Sequence, residues 1–202
     1  MADLCVTADV KTALGISSSA DDAFIAQLIS ACSDWIQEYT GRILTPVNAT
    51  TYVLDTSSGS RIDVPMGIRT VTTLGVAASD QPDTGGAFTP VTAADILLRP
   101  SPVERKPGWP ATFILIRGSA ARLTATLNGA SILGDWGFAA TPAEINRLAI
   151  EAVSLAYLNR RPSSSGGMGE GGSESTGWAD FFRWGSPQRQ TLLRYRAGLG
   201  IA

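Results

Sequence analysis

The chain has 202 residues, of which 44% are hydrophobic and 17% charged, and its formal net charge is -2. This composition is that of a globular protein with a core, and the near-neutral charge gives no global basic character that would point to nucleic acid. The chain has no histidine, so the commonest general base and metal ligand is missing. Residues 1–140 hold 9 Lys and Arg against 13 Asp and Glu, whereas residues 141–202 hold 7 against 5.

Two cysteines, Cys5 and Cys32, are too few for a disulfide framework. We therefore expect both thiols to be reduced in a protein made inside the cell. The N-terminal sequence has no basic region followed by an apolar run, so it predicts no signal peptide. No apolar run reaches the length of about eighteen residues that would predict a membrane span.

The N-terminal part of the chain predicts two helices. A short helix covers residues 6–14, with Thr7 as N-cap and Gly15 as its stop. A long helix covers residues 21–40, where large apolar residues recur at steps of three and four and form one stripe. Ser19 and Asp22 are spaced as a capping box, and Gly41 ends the helix. The stripe residues expected in the core are Phe24, Leu28, Cys32, Trp35, Ile36 and Tyr39.

From residue 46 to residue 140 the pattern changes to short strands and turns. Asn128-Gly129 is the strongest hairpin-turn signal in the chain. Loops at 79–90 and 101–110 are marked by Gly and Pro. Several short strands at this spacing predict an antiparallel sheet or small barrel. The expected strands are 51–54, 61–64, 71–76, 96–98, 112–117, 122–127 and 131–136.

A third helix is predicted over residues 141–161. Thr141, Pro142 and Glu144 combine an N-cap, a proline at the first helical position and a glutamate at the third. The apolar stripe of this helix contains small residues, so another helix can approach it closely, and we expect it to pack on the helix at 21–40. Its residues expected in the core are Ile145, Leu148, Ala152 and Tyr157.

Residues 162–177 form a Gly/Ser-rich linker by composition, and residues 178–202 form an arm rich in aromatic residues and arginine. The arm either covers the chain's own core or docks on another chain, and the long flexible lead favours docking. Direct contact of its arginines with DNA is a weaker alternative. The residues expected to dock are Trp178, Phe181, Phe182, Trp184, Arg189, Leu192, Leu193, Arg194, Tyr195 and Arg196.

No chemical site emerges from the sequence. Only Lys11 and Lys106 are available as amine bases for a serine nucleophile, and neither lies in a motif. The glycine-rich run at 166–172 lacks the residue order of a phosphate-binding loop, and no cysteine spacing is typical of a metal site. We therefore predict that the protein is not an enzyme, needs no cofactor and has no catalytic, cofactor-binding or metal-binding residues.

Three segments carry a family resemblance. VTADVKTALGI and DDAFIAQLISACSDWIQEYTGR give a short helix, an acidic pair and a long helix that ends in Tyr-Thr-Gly-Arg. RIDVPMGIRTVTTLGV gives a short strand that reaches a proline before a Val-rich strand. ILGDWGFAATPAEINRLAIEAVSLAYLNR gives a last strand, a glycine-aromatic turn and a closing helix. In this order, over about residues 6–161, they resemble the head–tail connector (adaptor or head-completion) proteins of long-tailed bacteriophages.

The resemblance implies a structural virion protein of the phage neck. It implies a homo-oligomeric ring, commonly of twelve copies, beneath the portal protein. The ring extends the DNA channel and provides the platform for the next neck or tail protein. DNA passes through without sequence-specific binding, no membrane takes part, and the protein is made in the host cytoplasm before virus assembly. The segment after residue 161 has no counterpart in the resemblance, and its role as a portal-docking arm is our hypothesis.

The predicted fold is α+β, with a helical core and an inserted antiparallel β-sheet or small barrel. Residues 1–45 and 141–161 form the core, residues 46–140 the insertion, and the flexible C-terminal arm follows the linker. The alternative function is a non-catalytic cytosolic module whose β region binds a small ligand or glycan. Such a ligand would raise the melting temperature by mass action. An enzyme would need a catalytic group that the sequence does not show.

Overall fold

The computed structural model describes residues 2–80, 86–101, 105–118, 123–159, 181–182 and 185–197. The chain divides into two compact units, of which unit 1 comprises Met1–Gly41 and Thr141–Ala202, and unit 2 comprises Arg42–Ala140. The described residues form four α-helices and a six-stranded antiparallel sheet. The α+β class expected from the sequence is confirmed. The predicted five-segment division stays a prediction, because the linker at 162–177 lies outside the described residues.

Unit 1 contains the helices, namely α1 (Thr7–Leu14), α2 (Asp22–Thr40), α3 (Ala143–Asn159) and α4 (Pro187–Tyr195). Gly15 and Gly41 end α1 and α2 in the left-handed conformation, with φ of 67° and 63°. α2 packs against both α1 and α3. At the N-terminus of α2, Asp21 Oδ2 accepts a hydrogen bond from the Tyr157 hydroxyl of α3 at 2.6 Å.

The helix starts differ from the sequence-based expectation. The N-cap of α2 is Asp21 rather than Ser19, and no side chain caps this end. Ser19 contributes only its backbone carbonyl, which accepts from the Asp22 N–H at 3.2 Å. Likewise, Val6 is the N-cap of α1 and Thr7 is already helical. The capping-box spacing was misleading because the chain enters both helices through backbone turns.

Burial along α2 follows the predicted stripe with one exception. Trp35 is 37% exposed, because it lies at the border of the stripe. Phe182 from the arm covers part of its ring. Three polar side chains of α2 are buried in addition, and each has a hydrogen-bond partner. Ser33 accepts from the Leu4 N–H at 2.9 Å, Gln37 donates to the Ala2 carbonyl at 3.2 Å, and Thr40 donates to the Ile36 carbonyl at 2.9 Å. The remaining predicted core positions are either half-buried (Phe24, Leu28, Tyr39) or buried (Cys32, Ile36, Ile145, Leu148, Ala152, Tyr157).

Unit 2 contains one antiparallel sheet with the order β1-β6-β2-β5-β4, and β3 pairs with β2 outside this path. One face carries a continuous apolar core that includes Ile62, Ile114, Ile132 and Trp136. A short 3-10 turn, Ala93–Asp95, precedes β4. The strands are β1 (Val47–Thr56), β2 (Arg61–Val76), β3 (Thr89–Pro90), β4 (Ile96–Arg99), β5 (Ala111–Ile116) and β6 (Thr126–Trp136).

The two strands predicted at 61–64 and 71–76 are one long strand, β2. Its first half pairs with β5 and its second half with β6, and Ile68 lies opposite both Ala111 and Trp136. Just before this point Gly67 adopts φ of 89°. A Cβ on Gly67 would lie 2.5 Å from Pro110 Cγ, so only glycine fits this bend.

The predicted hairpin turn at Asn128-Gly129 is wrong, because both residues lie inside β6. Asn128 has φ of 52°, and its N–H donates to Asp55 Oδ1 at 2.8 Å. A Cβ on Gly129 would lie 2.3 Å from Thr56 Oγ1, so the neighbouring strand leaves no space for a side chain. The dipeptide marks a β-bulge, where the register between β1 and β6 shifts but pairing continues.

Candidate assembly interface

The C-terminal helix α4 packs on α2 of the same chain. Ser186 caps it, since its Oγ accepts from the Arg189 N–H at 3.1 Å, and Pro187 occupies the first helical position. Leu192 and Tyr195 are three residues apart and form the buried face of α4, at 0% and 6% exposure. The sequence Ser-Pro followed by apolar residues at this spacing therefore produces a short helix with one buried side.

The chain remains attached to α2 just beyond the end of α4. The Ala197 N–H donates to the Thr40 carbonyl at 2.7 Å. Thr40 belongs to the last turn of α2, whose carbonyls have no partner within the helix. The contact is close, because a Cβ on Gly41 would lie 3.4 Å from the Ala197 Cβ. Ala197 of the arm thus supplies a hydrogen-bond donor to a carbonyl at the C-terminal end of α2, which water would otherwise have to supply.

An aromatic ladder runs along the side of α2 that faces the arm. Trp35 and Tyr39 stack one turn apart, with ring centroids 5.3 Å apart and planes at 10°. Phe182 stacks on Trp35 at 4.5 Å, and Phe181 meets Phe182 edge-on at 4.8 Å. Such pairs contribute about 0.5–1.5 kcal/mol each beyond the area that they bury. The ladder is the main apolar contact by which residues 181–182 join unit 1.

Two arginines of the arm lie over Tyr39. The Arg189 and Arg196 Cζ atoms are 5.6 Å and 5.7 Å from the centre of the Tyr39 ring. Arg189 Nε also donates to the Tyr39 hydroxyl at 3.1 Å. Cation–π contacts at partly exposed positions are worth about 0.5–1 kcal/mol. Tyr39 therefore contacts both the start of α4 and the residue that follows it.

Tyr195 links α4 to α3. Its hydroxyl donates to Glu144 Oε2 at 3.4 Å, which is a long contact. Burial raises the pKa of Tyr195 above its usual value, and the negative charge of Glu144 raises this pKa further. Both effects favour the neutral phenol. The arrangement positions a helix, and it offers no group poised to take a proton from a substrate.

The residues predicted to dock fall into four groups in the structure. Those whose side chains point into unit 1 have little surface left for another chain while α4 holds this position, and the exposed ones form its outward side. Their role on another chain stays a prediction. They are buried (Phe182, Leu192, Tyr195), half-buried (Phe181, Arg189, Leu193), exposed (Arg194, Arg196), or outside the described residues (Trp178, Trp184).

The sequence did not predict that Trp35, Tyr39 and Thr40 would receive the arm. A signal was present, because aromatic residues at both 35 and 39 widen the apolar stripe of α2 beyond what one partner helix covers. No helix among the described residues is both long and apolar enough to cross a membrane. Within the same residues, no group of three or more Cys, Asp or Glu side chains is placed to hold a metal.

Comparison with known proteins gives two kinds of match. Residues 7–78 match the family model for phage gp6-like head-tail connector proteins. The resemblance to head–tail connectors is thereby confirmed. This stretch covers α1, α2, β1 and β2, which include two of the three segments that suggested the resemblance. No curated protein has a sequence that matches this chain.

Solved structures share the fold of the chain over nearly its whole length. A chain of the structure titled "Virion of native gene transfer agent (GTA) particle" is 19% identical, with a TM-score of 0.52, over 95% of this chain and 88% of that one. A chain of "Neck of empty GTA particle computed with C6 symmetry" is 18% identical, with a TM-score of 0.50 and the same coverage. At such identities the likeness concerns the fold.

Proposed function

We propose that this chain is a structural adaptor of the phage neck, that is, a head–tail connector. The observation that carries the proposal is the family match at residues 7–78. The likeness in fold to a chain from the neck of a virion-like particle supports it, because that likeness extends over 95% of this chain. The protein works in the virion, at the interface between head and tail, and its role is assembly rather than catalysis.

Copies of the chain form a closed ring in this proposal. Each copy presents one surface to the neighbour on its left and a different one to the neighbour on its right, and the contacts close by rotation. A closed ring is supported by the C6 symmetry of the GTA neck structure, one chain of which is similar in fold to this chain. The twelve copies implied by the family resemblance are compatible with sixfold symmetry.

The ring sits beneath the portal, extends its channel and provides the platform for the next neck or tail protein. DNA passes through the channel without sequence-specific binding. A lining that attracts phosphate strongly would slow this passage, because neutralised phosphates release counterions and bind tightly. The formal charge of -2 is compatible with weak attraction. No comparison supports the alternative of a module that binds a small ligand or glycan.

The arm docks on the portal in this proposal and uses the outward side of α4. With α4 packed on α2, Arg194 and Arg196 remain exposed. The Arg196 guanidinium lies near Tyr39, whereas Arg194 is on the exposed side of the helix, one residue before the buried Tyr195. Arg194 is therefore the residue to change when the docking role is tested without disturbing the packing of α4.

Cosedimentation with portal-bearing heads that lack a neck tests both proposals. Wild-type protein is expected to cosediment. Arg194→Glu is expected to weaken binding at least tenfold, while Arg147→Glu on the exposed side of α3 leaves it unchanged. Deletion of residues 173–202 should weaken it at least as much. If wild-type protein does not bind the heads, the adaptor function is wrong, whereas full binding by both arm variants would contradict only the docking role.

A further inference from the structure

The arm docks on unit 1 at a distance from the point where the chain leaves α3. Tyr157, near the end of α3, lies beside the N-terminal end of α2, since its ring centroid is 6.4 Å from that of Phe24. The arm instead contacts the C-terminal half of α2, where Phe182 stacks on Trp35. Trp35 comes eleven residues after Phe24. At ~1.5 Å per residue, the connection therefore has to cover about 16 Å along the axis of α2.

The connection from α3 to the arm is much longer than this distance requires. It comprises the 21 residues 160–180. An extended chain covers about 3.3–3.6 Å per residue, so about five residues would cover the distance, whereas 21 residues reach about 70 Å. A compact domain of about 100 residues has a radius of gyration of about 13 Å and is thus roughly 35 Å across. The arm can therefore reach unit 1 of an adjacent copy as well as its own.

The arm and its docking surface are two different surfaces of one chain. The arm contributes Leu192 and Tyr195, which form the buried face of α4. The docking surface consists of Trp35 and Tyr39 on α2 and Glu144 at the start of α3. If each copy passes its arm to the next, every copy gives one arm and receives one. This is a head-to-tail contact, the kind from which closed rings are built.

Transfer of the arm to a neighbour exchanges contacts without changing their kind. The stack made by Phe182 and the hydrogen bond donated by Ala197 involve only the arm and α2. They therefore form equally well when the arm and α2 belong to different copies, which makes such swaps a low-cost route to oligomers. The consequence for a ring is kinetic, because a copy can leave only after two arms have undocked.

We propose that α4 of each copy docks on α2 of the adjacent copy in the assembled ring. This inference rests on the proposed ring, and the free protomer keeps its arm on its own α2. The adjacent copy is favoured by the length of the connection and by the head-to-tail relation between the arm and its docking surface. Arg194 is exposed on the outward side of α4 and makes no part of the exchanged face, so the proposed contact with the portal is retained.

A disulfide trap between α2 and the arm tests the exchange directly. A Cβ on Gly41 would lie 3.4 Å from the Ala197 Cβ, close to the separation of about 3.5–4.5 Å found in disulfides. Gly41→Cys and Ala197→Cys are made as two separate variants, so that neither can form this bond within one chain. The two variants are mixed, assembled on portal-bearing heads and oxidised with diamide. Peptide mapping distinguishes a bond between positions 41 and 197 from any bond of the native, buried Cys5 and Cys32.

We expect dimers linked between positions 41 and 197 in rings of the mixture, and almost none among free protomers. The double variant is the matched control, which should link within one chain in solution and between successive copies in rings. Rings in which the double variant links only within single chains, while the mixture gives no dimers, would overturn the proposal. An absence of rings in the wild-type sample would instead contradict the proposed function, so the two failures are distinguishable.

A shorter connection gives a second readout that needs no new side chain. Deletion of residues 163–175 leaves eight residues between α3 and the arm. They reach about 30 Å, which is enough for the chain's own α2 but less than the width of a neighbouring unit. We expect an unchanged melting temperature of the free protomer, and copies that leave the ring on dilution at least tenfold faster.

The matched control for the deletion replaces the same thirteen residues by Gly and Ser at unchanged length. This variant should leave the ring at the wild-type rate, because the reach of its arm is the same. A deletion variant whose copies leave the ring as slowly as wild-type protein would show that each arm stays on its own α2.

Discussion

Phe182 and Trp35 stack with ring centroids 4.5 Å apart and planes at 24°. This contact joins the first described residues of the arm to the C-terminal half of α2, before α4 begins at Pro187. The contact also covers part of the Trp35 ring, which is 37% exposed. The arm in this position is part of unit 1, and its attachment depends on a few aromatic pairs and one buried helix face.

Loss of this stack should release the arm without unfolding the rest of unit 1. Phe182→Ala removes a ring that is 4% exposed, and we expect α4 docking to weaken by about 2–4 kcal/mol. Hydrogen exchange of the amides at 188–195 should accelerate, while α3 keeps its protection. Leu158→Ala is the control, because Leu158 is 52% exposed and its loss should change stability by less than about 0.5 kcal/mol. Unchanged exchange in α4 would contradict the role of the stack.

Docking of α4 should weaken at high pH through Tyr195. The folded state raises the pKa of Tyr195 above its ordinary value of 10.0, so between these two values the folded protein binds more protons than the unfolded one. Its contribution to stability is therefore complete below pH 10 and is lost as the pH rises through the raised pKa. Tyr195→Phe should flatten this part of the stability–pH curve. Identical curves for the two proteins above pH 10 would show that Tyr195 is not the titrating group.

Gly137 should tolerate no side chain. It has φ of 71°, and a Cβ would lie 2.4 Å from the Thr45 carbonyl oxygen. Gly137→Ala should therefore lower the free energy of unfolding by more than about 3 kcal/mol, since backbone must move as well. Gly108 is the matched control, with φ of 79° and no atom within 4 Å of a built Cβ. Gly108→Ala should cost only about 1–2 kcal/mol of conformational strain, as urea denaturation can measure. Equal losses of unfolding free energy in the two variants would contradict the close approach of the Thr45 carbonyl to Gly137.

Both thiols should be unreactive in the native protein. Burial raises the pKa of Cys5 to about 11, with smaller contributions from Asp9 and Asp3, and burial also raises the pKa of Cys32. At pH 8 almost no thiolate is present, and the thiolate is the reactive form. Alkylation followed by mass spectrometry should show almost no labelling in buffer and two labels in urea. Rapid labelling of either residue in buffer would contradict the burial of that thiol.

The helices could be predicted from the sequence because the residues that specify each helix lie close together in the chain. Apolar spacing in α2 and α3 and the glycines at 15 and 41 depend on the residues of one helix. The cap of α2 was misassigned because Asp21 is engaged by Tyr157, which lies 136 residues away. Trp35 was expected in the core because periodicity does not show where a partner helix ends.

The sequence predicted that the β region consists of strands, but it did not predict which strands pair with one another. Asn128-Gly129 fits a tight turn by local preference, and it became a bulge because Asp55 and Thr56 on β1 fix that part of β6. The approach of Arg42 to Trp109, at 5.9 Å from the ring centre, could not be predicted for a related reason, because it is a property of the folded chain.

The most direct test of the account is electron microscopy of portal-bearing heads mixed with the full-length protein. The account predicts a closed ring of this chain, coaxial with the portal, with density for many equivalent copies and a channel through its centre. Protein that remains monomeric and unattached under these conditions, and that is stabilised by a small ligand instead, would contradict the connector function.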